Sequence, residues 1–439
     1  MKFYNRENEL KRLQEVQALS LENAQFMIVT GRRRVGKTRL LLRATENQPT
    51  LYFFVSRKAE PFLCEDFQQE ITEKLQIPIL GNVQSFSQLF RFLMQLSTTR
   101  SFNLIVDELQ EFLNINPSVF SDMQRDWDTL KEQSRMNLLV CGSVHSMMHK
   151  IFEDYSAPLY GRATGFLRLK PFKVSVLKDI LKENNPQYTA EDLLALYAFS
   201  GGVAKYVQLF VDNGALTFKK MLDLMIKEDS SFIADGKSML VEEFGKDYAV
   251  YFTILSAIAR GENTRGKIEA AVGKEVGGYI TRMENDYGLL SKSRPLFAKS
   301  ETKNVRYVVE DNFFAFFFRF IYKYSHIIEI GQLGELRKII ERDYATFSGK
   351  VLGKYFRDKL IEQGGITRIG SYWDKTGENE IDLIALNETE KVVQIIEIKR
   401  NEAHIRYSLL KEKAAAMLAK TGELKGYEMQ YKGFSMADM

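Results

Sequence analysis

The stretch Phe26-Met-Ile-Val-Thr-Gly-Arg-Arg-Arg-Val-Gly-Lys-Thr38 decides how this chain folds. Four apolar residues, Phe26 to Val29, read as a short buried strand. Gly31, four residues, and then Gly36-Lys37-Thr38 follow in the G-x-x-x-x-G-K-[ST] spacing. Glycine at both ends of such a loop permits backbone angles at which successive N–H groups point inward toward phosphate oxygens. Lys37 reaches the β- and γ-phosphates of a nucleotide, and the Thr38 hydroxyl ligates Mg²⁺. The helix predicted to begin near Lys37 adds the positive end of its dipole. Its Leu40, Leu41 and Leu42 are expected to pack back on the sheet. Arg32, Arg33, Arg34, Val35 and Arg39 belong to the same nucleotide-contacting stretch.

A second strand is predicted at Leu51–Val55, with helices over 62–76 and 86–98. Phe102-Asn-Leu-Ile-Val-Asp107-Glu108 then runs from apolar residues straight into two carboxylates, as in a buried parallel strand that ends at an active site. In this reading Asp107 holds Mg²⁺ and Glu108 polarises the attacking water. Met136-Asn-Leu-Leu-Val-Cys-Gly-Ser143 reads as another buried strand with a hydroxyl at its end, and Ser143 is either a sensor of the γ-phosphate or a helix N-cap. Arg162 precedes the strand Phe166–Lys170. It either stabilises transition-state charge, in cis or across a subunit interface, or lies on the surface as an ordinary arginine. Ahead of the loop, Arg6-Glu7 opens a helix predicted over 5–18, with Asn5 as its N-cap. The segment is either a solvated first turn or a neighbour of the adenine. Strands alternating with helices imply a parallel sheet covered on both faces, with the ligand outside the carboxyl ends of the strands.

Composition sets bounds on the rest. The chain has 439 residues, 45% hydrophobic and 27% charged, with a formal net charge of +4. That is an ordinary globular balance, and the charge is too small to prove a nucleic-acid partner. Two cysteines, Cys64 and Cys141, lie far apart without metal spacing and fit a reducing cytoplasm. The amino-terminal residues are too polar for a signal peptide. The most apolar run, Phe313 to Tyr322, is too short for a membrane span and reads as a core helix.

Residues 171–240 are predicted helical and assigned as a lid, with a glycine break at Gly201-Gly202. Residues 241–325 read as three helices and a β-hairpin, the pattern of a winged helix. Between Gly288 and Arg306 lie Lys292, Arg294, Lys299, Lys303 and Arg306 against one acid, Glu301, which suits a wing that contacts phosphates. The helix that would read bases carries Glu275, Glu284 and Asp286 against Lys274 and Arg282. The module is therefore either a DNA binder or a protein-docking element.

Residues 326–439 hold a second constellation. Ile381-Asp382-Leu-Ile-Ala-Leu386 and Val392-Val-Gln-Ile-Ile-Glu397-Ile-Lys399 read as two strands of a hairpin. Alternation puts Glu397 and Lys399 on one face and lets Asp382 meet Glu397 across the pair. Two carboxylates attract Mg²⁺, and a lysine beside them positions water and stabilises phosphorane-like charge. The D-(x)n-E-x-K spacing, with n = 14, is that of PD-(D/E)XK nucleases. The alternative is a structural ion pair.

Together, Arg6-Glu7, Gly31 to Thr38, Leu104 to Glu108, Cys141-Gly-Ser143, Leu159-Tyr-Gly-Arg162 and Gly201 to Tyr206 resemble the prokaryotic archaeal-type AAA+ ATPases, relatives of STAND and origin-recognition ATPases. The resemblance implies an α/β chain. Its parts are a P-loop AAA+ parallel-sheet core (1–170), a helical lid (171–240), a winged helix (241–325) and a C-terminal restriction-endonuclease-like domain (326–439). Tyr372-Trp373, Asp382, Glu397 and Lys399 fit the last of these. ATP or ADP with Mg²⁺ is implied as cofactor. The implied partners are ATP, DNA and a second copy of the chain, with no membrane. The chain departs from the family at two places. Ala204 replaces a usual proline. Gly353 stands where a helix glutamate is common in nuclease-like domains, with Glu380 as a candidate substitute. Two functions follow: an ATP-driven switch acting on DNA, or a nucleotide-dependent scaffold whose last domain binds without cutting.

Overall fold

A computed structural model describes residues 1–78, 81 and 83–439. The chain divides into two compact units, Phe3–Lys170 and Pro171–Met439, the latter together with Met1–Lys2.

The first unit is built on five strands, β1 Gln25–Thr30, β2 Thr50–Phe54, β3 Phe102–Asp107, β4 Met136–Cys141 and β5 Gly165–Arg168. All pair in parallel, in the order β2-β3-β4-β1-β5. Strands buried on both faces need no polar alternation, and β3 and β4 are buried at every position. Phe26, Ile28, Leu104, Val106, Leu138 and Val140 face helices Glu60–Leu75, Phe86–Leu96 and Ser118–Leu130. Met27, Val29, Ile105, Leu139 and Cys141 face helices Glu7–Ser20 and Lys37–Ala44. In the latter helix Leu40 and Leu41 are fully buried while Leu42 is 46% exposed. At about 100° per residue, three consecutive leucines cannot share one face, so the expectation for Leu42 is corrected. The first helix starts at Glu7, and its N-cap is Arg6 in the left-handed region, with Asn5 accepting from the Arg6 amide.

The second unit opens with helices Val174–Asn184, Ala190–Ser200, Ala204–Asp212, Phe218–Met225 and Ser231–Phe244. Helices Tyr248–Arg260, Arg265–Val272 and Gly277–Asn285 lead to an antiparallel ribbon of β6 Leu290–Ser293 and β7 Arg306–Val309. The 31-residue helix Leu333–Gln363 precedes β8 Arg368–Trp373, β9 Glu380–Asn387 and β10 Val392–Ile398. Helix Tyr407–Thr421 and β11 Glu428–Phe434 complete the unit. The sheet order is β11-β10-β9-β8, with β10 and β11 parallel and the other pairs antiparallel. No helix among the described residues is long and apolar enough to cross a membrane.

The loop between β6 and β7 is part of the C-terminal core. Leu296 packs with Tyr372, Ile381 and Ile384, and its amide donates to Ser371 O at 2.8 Å. An edge strand exposes unpaired backbone groups, and this loop covers some of those on β8. Leu296→Ala should therefore cost about 2–3 kcal/mol, as for other buried leucines. The expected readout is faster amide hydrogen exchange along β8.

Candidate active site

The phosphate loop leaves β1 at Thr30 and closes on the helix that begins at Lys37. Gly31 has φ +148°, and a Cβ there would lie 2.5 Å from Leu169 O. Gly36 has φ +100° and caps the helix. Arg34 is also held in the left-handed region, at φ 69°. Val35 is buried in the core, so only its main chain faces the loop interior. The Lys37 ammonium donates to Gly31 O at 2.9 Å and Arg32 O at 3.1 Å. Burial pulls its pKa down, with Arg33 adding to the shift; Cys141, Glu108 and Asp107 oppose it. A cation held by neutral carbonyls in a desolvated loop is set to gain from an arriving anion. Arg39 stacks over Phe3 at 5.9 Å.

β4 lies between β1 and β3, and the register aligns Val29, Cys141 and Asp107 across the three strands. The Asp107 carboxylate therefore meets the loop from the side. Its Oδ2 accepts from Thr38 Oγ1 at 2.6 Å and Tyr52 Oη at 3.0 Å. Its Oδ1 accepts from Cys141 Sγ at 2.9 Å and from the Glu108 amide at 3.0 Å. Burial and the neighbouring Asp107 push the Cys141 thiol and the Tyr52 phenol well above their ordinary values, so both stay protonated donors. A hydroxyl and a carboxylate converging in this way are hard oxygen donors of the kind Mg²⁺ prefers, and the site fits the ion.

Glu108 sits in the left-handed region at φ 57°. Its Oε2 accepts from Ser143 Oγ at 2.7 Å, from the Ser143 amide at 3.4 Å and from Gln110 Nε2. Ser143 is not an N-cap, because the following helix is preceded by Val144 without a side-chain cap. Ser143 instead holds the glutamate. Nothing local in the sequence marks Tyr52 or Gln110 as part of the site. Tyr52 reads there as one more residue of an apolar strand, and Gln110 as part of the turn after the acids.

One expected residue sits elsewhere. Arg162 precedes β5 at the amino ends of the strands, whereas the loop follows the carboxyl end of β1. Its guanidinium pairs with Asp128 at 3.2 Å and donates to Tyr160 O at 2.8 Å, beside Asn23, Trp127 and Thr164. A role in cis at the phosphates is thereby corrected. The Arg6 side chain is buried, while Glu7 and Asn8, which open the helix, are exposed to solvent. Arg6 donates to Lys170 O at 2.7 Å and Glu9 at 3.0 Å, next to the segment that backs Gly31. Burial pulls its pKa down, with Glu9 opposing the shift.

In the second unit, Lys399 Nζ lies 3.2 Å from Asp382 Oδ2 and 3.4 Å from Glu397 Oε1. Asp382 Oδ2 also accepts from the Ile398 amide, and Glu397 Oε2 from the Arg406 amide, both at 2.8 Å. Burial opposes the Lys399 charge, but the two carboxylates outweigh it and raise its pKa. Glu380 does not join them; it binds Arg306 at 2.7 Å, and that guanidinium stacks over Trp373 at 4.5 Å. Arg306, one of the five basic residues expected to contact phosphates, is thus already paired with a carboxylate. Lys292, Arg294, Lys299 and Lys303 remain exposed. Gly353, on the long helix, supplies no carboxylate. Among the described residues no group of three or more His, Cys, Asp or Glu could hold a metal.

Residues 3–210 match a family described as an ATPase domain predominantly from Archaea, and residues 317–416 match one described as archaeal and bacterial proteins of unknown function. An uncharacterized protein of Methanocaldococcus jannaschii is 32% identical over 406 residues, covering 90% of this chain and 87% of its own. The Walker-type ATPase of Pyrococcus abyssi superposes with a TM-score of 0.55 at 22% identity, covering 72% of this chain and 96% of that one. The ORC2 protein of Aeropyrum pernix, solved as ADPNP–ADP complexes, gives 0.52 at 14% identity, covering 75% and 96%. Both likenesses concern the fold.

Because Arg162 lies at the far end of the sheet, Arg162→Ala should leave the nucleotide affinity of a single chain unchanged. Gly31→Ala should abolish binding through the clash with Leu169 O. Titration of a fluorescent ADP analogue reads both.

Proposed function

The chain belongs to the family of ATPases whose domain occurs predominantly in Archaea, and on that premise we propose a Mg²⁺-dependent ATP switch that acts on DNA. The observation that carries the first half is the 2.6 Å hydrogen bond between Thr38 and Asp107, which draws the end of the phosphate loop and the end of β3 together. In this reading the amides of residues 31–38 and Lys37 bind the phosphates. Thr38 and Asp107 would hold the ion, which would supply positive charge beside the phosphates. Glu108 orients and polarises the attacking water, and Ser143 and Gln110 fix its carboxylate. Arg162 is reserved for a second copy of the chain.

For the second unit we propose a helical lid at 171–240, a winged helix at 241–325 and a nuclease-like domain at 326–439, working in the cytoplasm. Support for DNA contact comes from the exposed wing cations Lys292, Arg294, Lys299 and Lys303. A second reading, Mg²⁺-dependent cleavage, is favoured by the convergence of Asp382, Glu397 and Lys399. It is opposed by Gly353 and by the engagement of Glu380 with Arg306.

Glu108→Gln should keep nucleotide affinity and lower turnover by about 10²–10⁴-fold, the usual contribution of a positioned base. Lys37→Ala should lose nucleotide binding; unchanged ATP affinity would overturn the site. Neutralising Lys299 and Lys303 should reduce the salt slope of DNA binding by about two, one per phosphate contact. An unchanged slope argues for protein docking instead. Plasmid nicking that needs Mg²⁺ and vanishes in Asp382→Ala/Glu397→Ala would select the cutting domain. Equal behaviour of the two proteins would select one that only binds.

A further inference from the structure

We propose that Tyr52, on β2, is a positioning residue for the carboxylate of Asp107, and so for the ion that the phosphate loop would share with it. This rests on the Mg²⁺-dependent reading above and adds a residue to it that no phosphate-loop motif contains.

The geometry is specific. Tyr52 pairs with Ile105, two residues before Asp107, which pairs with Phe54. Side chains two apart on a strand share a face. Tyr52 therefore lies on the same face as Asp107, packs against the core that contains Met27, Val29, Ile105 and Cys141, and runs its phenol forward to Asp107 Oδ2. Cys141 reaches the other oxygen from β4, on the opposite side of β3. The carboxylate is thus held from both flanking strands, and that pair of donors joins Thr38 and the Glu108 amide in setting its rotation about the Cβ–Cγ bond.

The two grips differ in strength. A thiol is a weak donor, and a phenol is a strong one. Oδ2 is also the oxygen that accepts from Thr38. Without the Tyr52 hydroxyl, Oδ2 depends on Thr38 alone for its hydrogen bond. Yet the Thr38 oxygen must be aimed at the cation. With Tyr52 in place, the carboxylate plane is fixed before nucleotide arrives, and the hydroxyl of Thr38 has a stationary acceptor. The residue touches neither phosphate nor the attacking water in this scheme; it acts through Asp107.

The test uses the full chain and Tyr52→Phe, which removes one oxygen and keeps the ring. The affinity of a fluorescent ADP analogue is measured in EDTA and at rising Mg²⁺. The expected result is equal affinity in EDTA, which also certifies the fold of the loop. The gain produced by Mg²⁺ should be reduced by about 10–100-fold, as for other partners of metal ligands. The Mg²⁺ midpoint for ATP hydrolysis should rise in parallel, with turnover recovering at saturating Mg²⁺. An identical Mg²⁺ gain in both proteins would overturn the role of Tyr52 and leave the Mg²⁺ reading standing. An equal loss in EDTA and in Mg²⁺ would also overturn it, because Tyr52 would then support the loop and not the carboxylate. A wild type without any Mg²⁺ gain would sink the underlying reading and this inference with it.

Discussion

The charge on Asp107 is the constraint around which the first unit is arranged. It ends a strand with no exposed residue, where an ionised carboxylate without partners would be prohibitively costly. Four donors meet it, two at each oxygen, and they come from β2, from β4, from the adjacent Glu108 amide and from Thr38 in the first turn of the helix after the phosphate loop. Those donors can coincide only if the three central strands keep one register and β4 lies between the other two. The same register carries Ser143 to Glu108. The sheet order is therefore part of the site, because a different neighbour for β3 would leave the carboxylate short of a donor.

Strain gathers at the same end of the sheet. Gly31 and Gly36 take positive φ without penalty, but Arg34 and Glu108 are side-chain-bearing residues in the left-handed region. Such backbone costs on the order of 1–3 kcal/mol per residue and persists where its surroundings over-determine it. At Glu108 the surroundings are visible. Gln110, fully buried, and Ser143 both donate to its carboxylate, while its amide donates back to Asp107. The turn after β3 is thus fixed from three directions, and the glutamate carboxylate is held at one place before any water arrives.

What the sequence discloses about this arrangement is what is local. A buried run followed by a glycine-spaced loop, or by two acids, carries its meaning within about ten residues, and β1, β3, β4 and their terminal residues are legible there. Tyr52 is not, because its partner is 55 residues away and its role depends on which strand lies beside β3. Arg162 misleads for a related reason. Proximity in sequence to a strand of the sheet does not say at which end of that strand a residue falls. In the second unit, the pairing of Glu380 with Arg306 and the insertion of Leu296 under β8 join segments about 75 residues apart. Alternation puts Glu380 on the face of Asp382, but the cation that matches its charge lies on a distant segment.

The two lysines of the candidate sites separate the chemistry of the two units. Lys37 is surrendered by water to the neutral carbonyls of Gly31 and Arg32, and burial drives its pKa down. Its charged form is undercompensated, so a polyphosphate entering the loop would relieve a cost that the protein already carries. Lys399 stands between two carboxylates that outweigh its burial and drive its pKa up. Its charge is already matched, so an arriving phosphate would compete with Asp382 and Glu397 instead of relieving a cost. A cation placed between those carboxylates would first have to displace the lysine from them. The loop of the first unit is therefore prepared for an anion, while the C-terminal cluster is balanced as it stands.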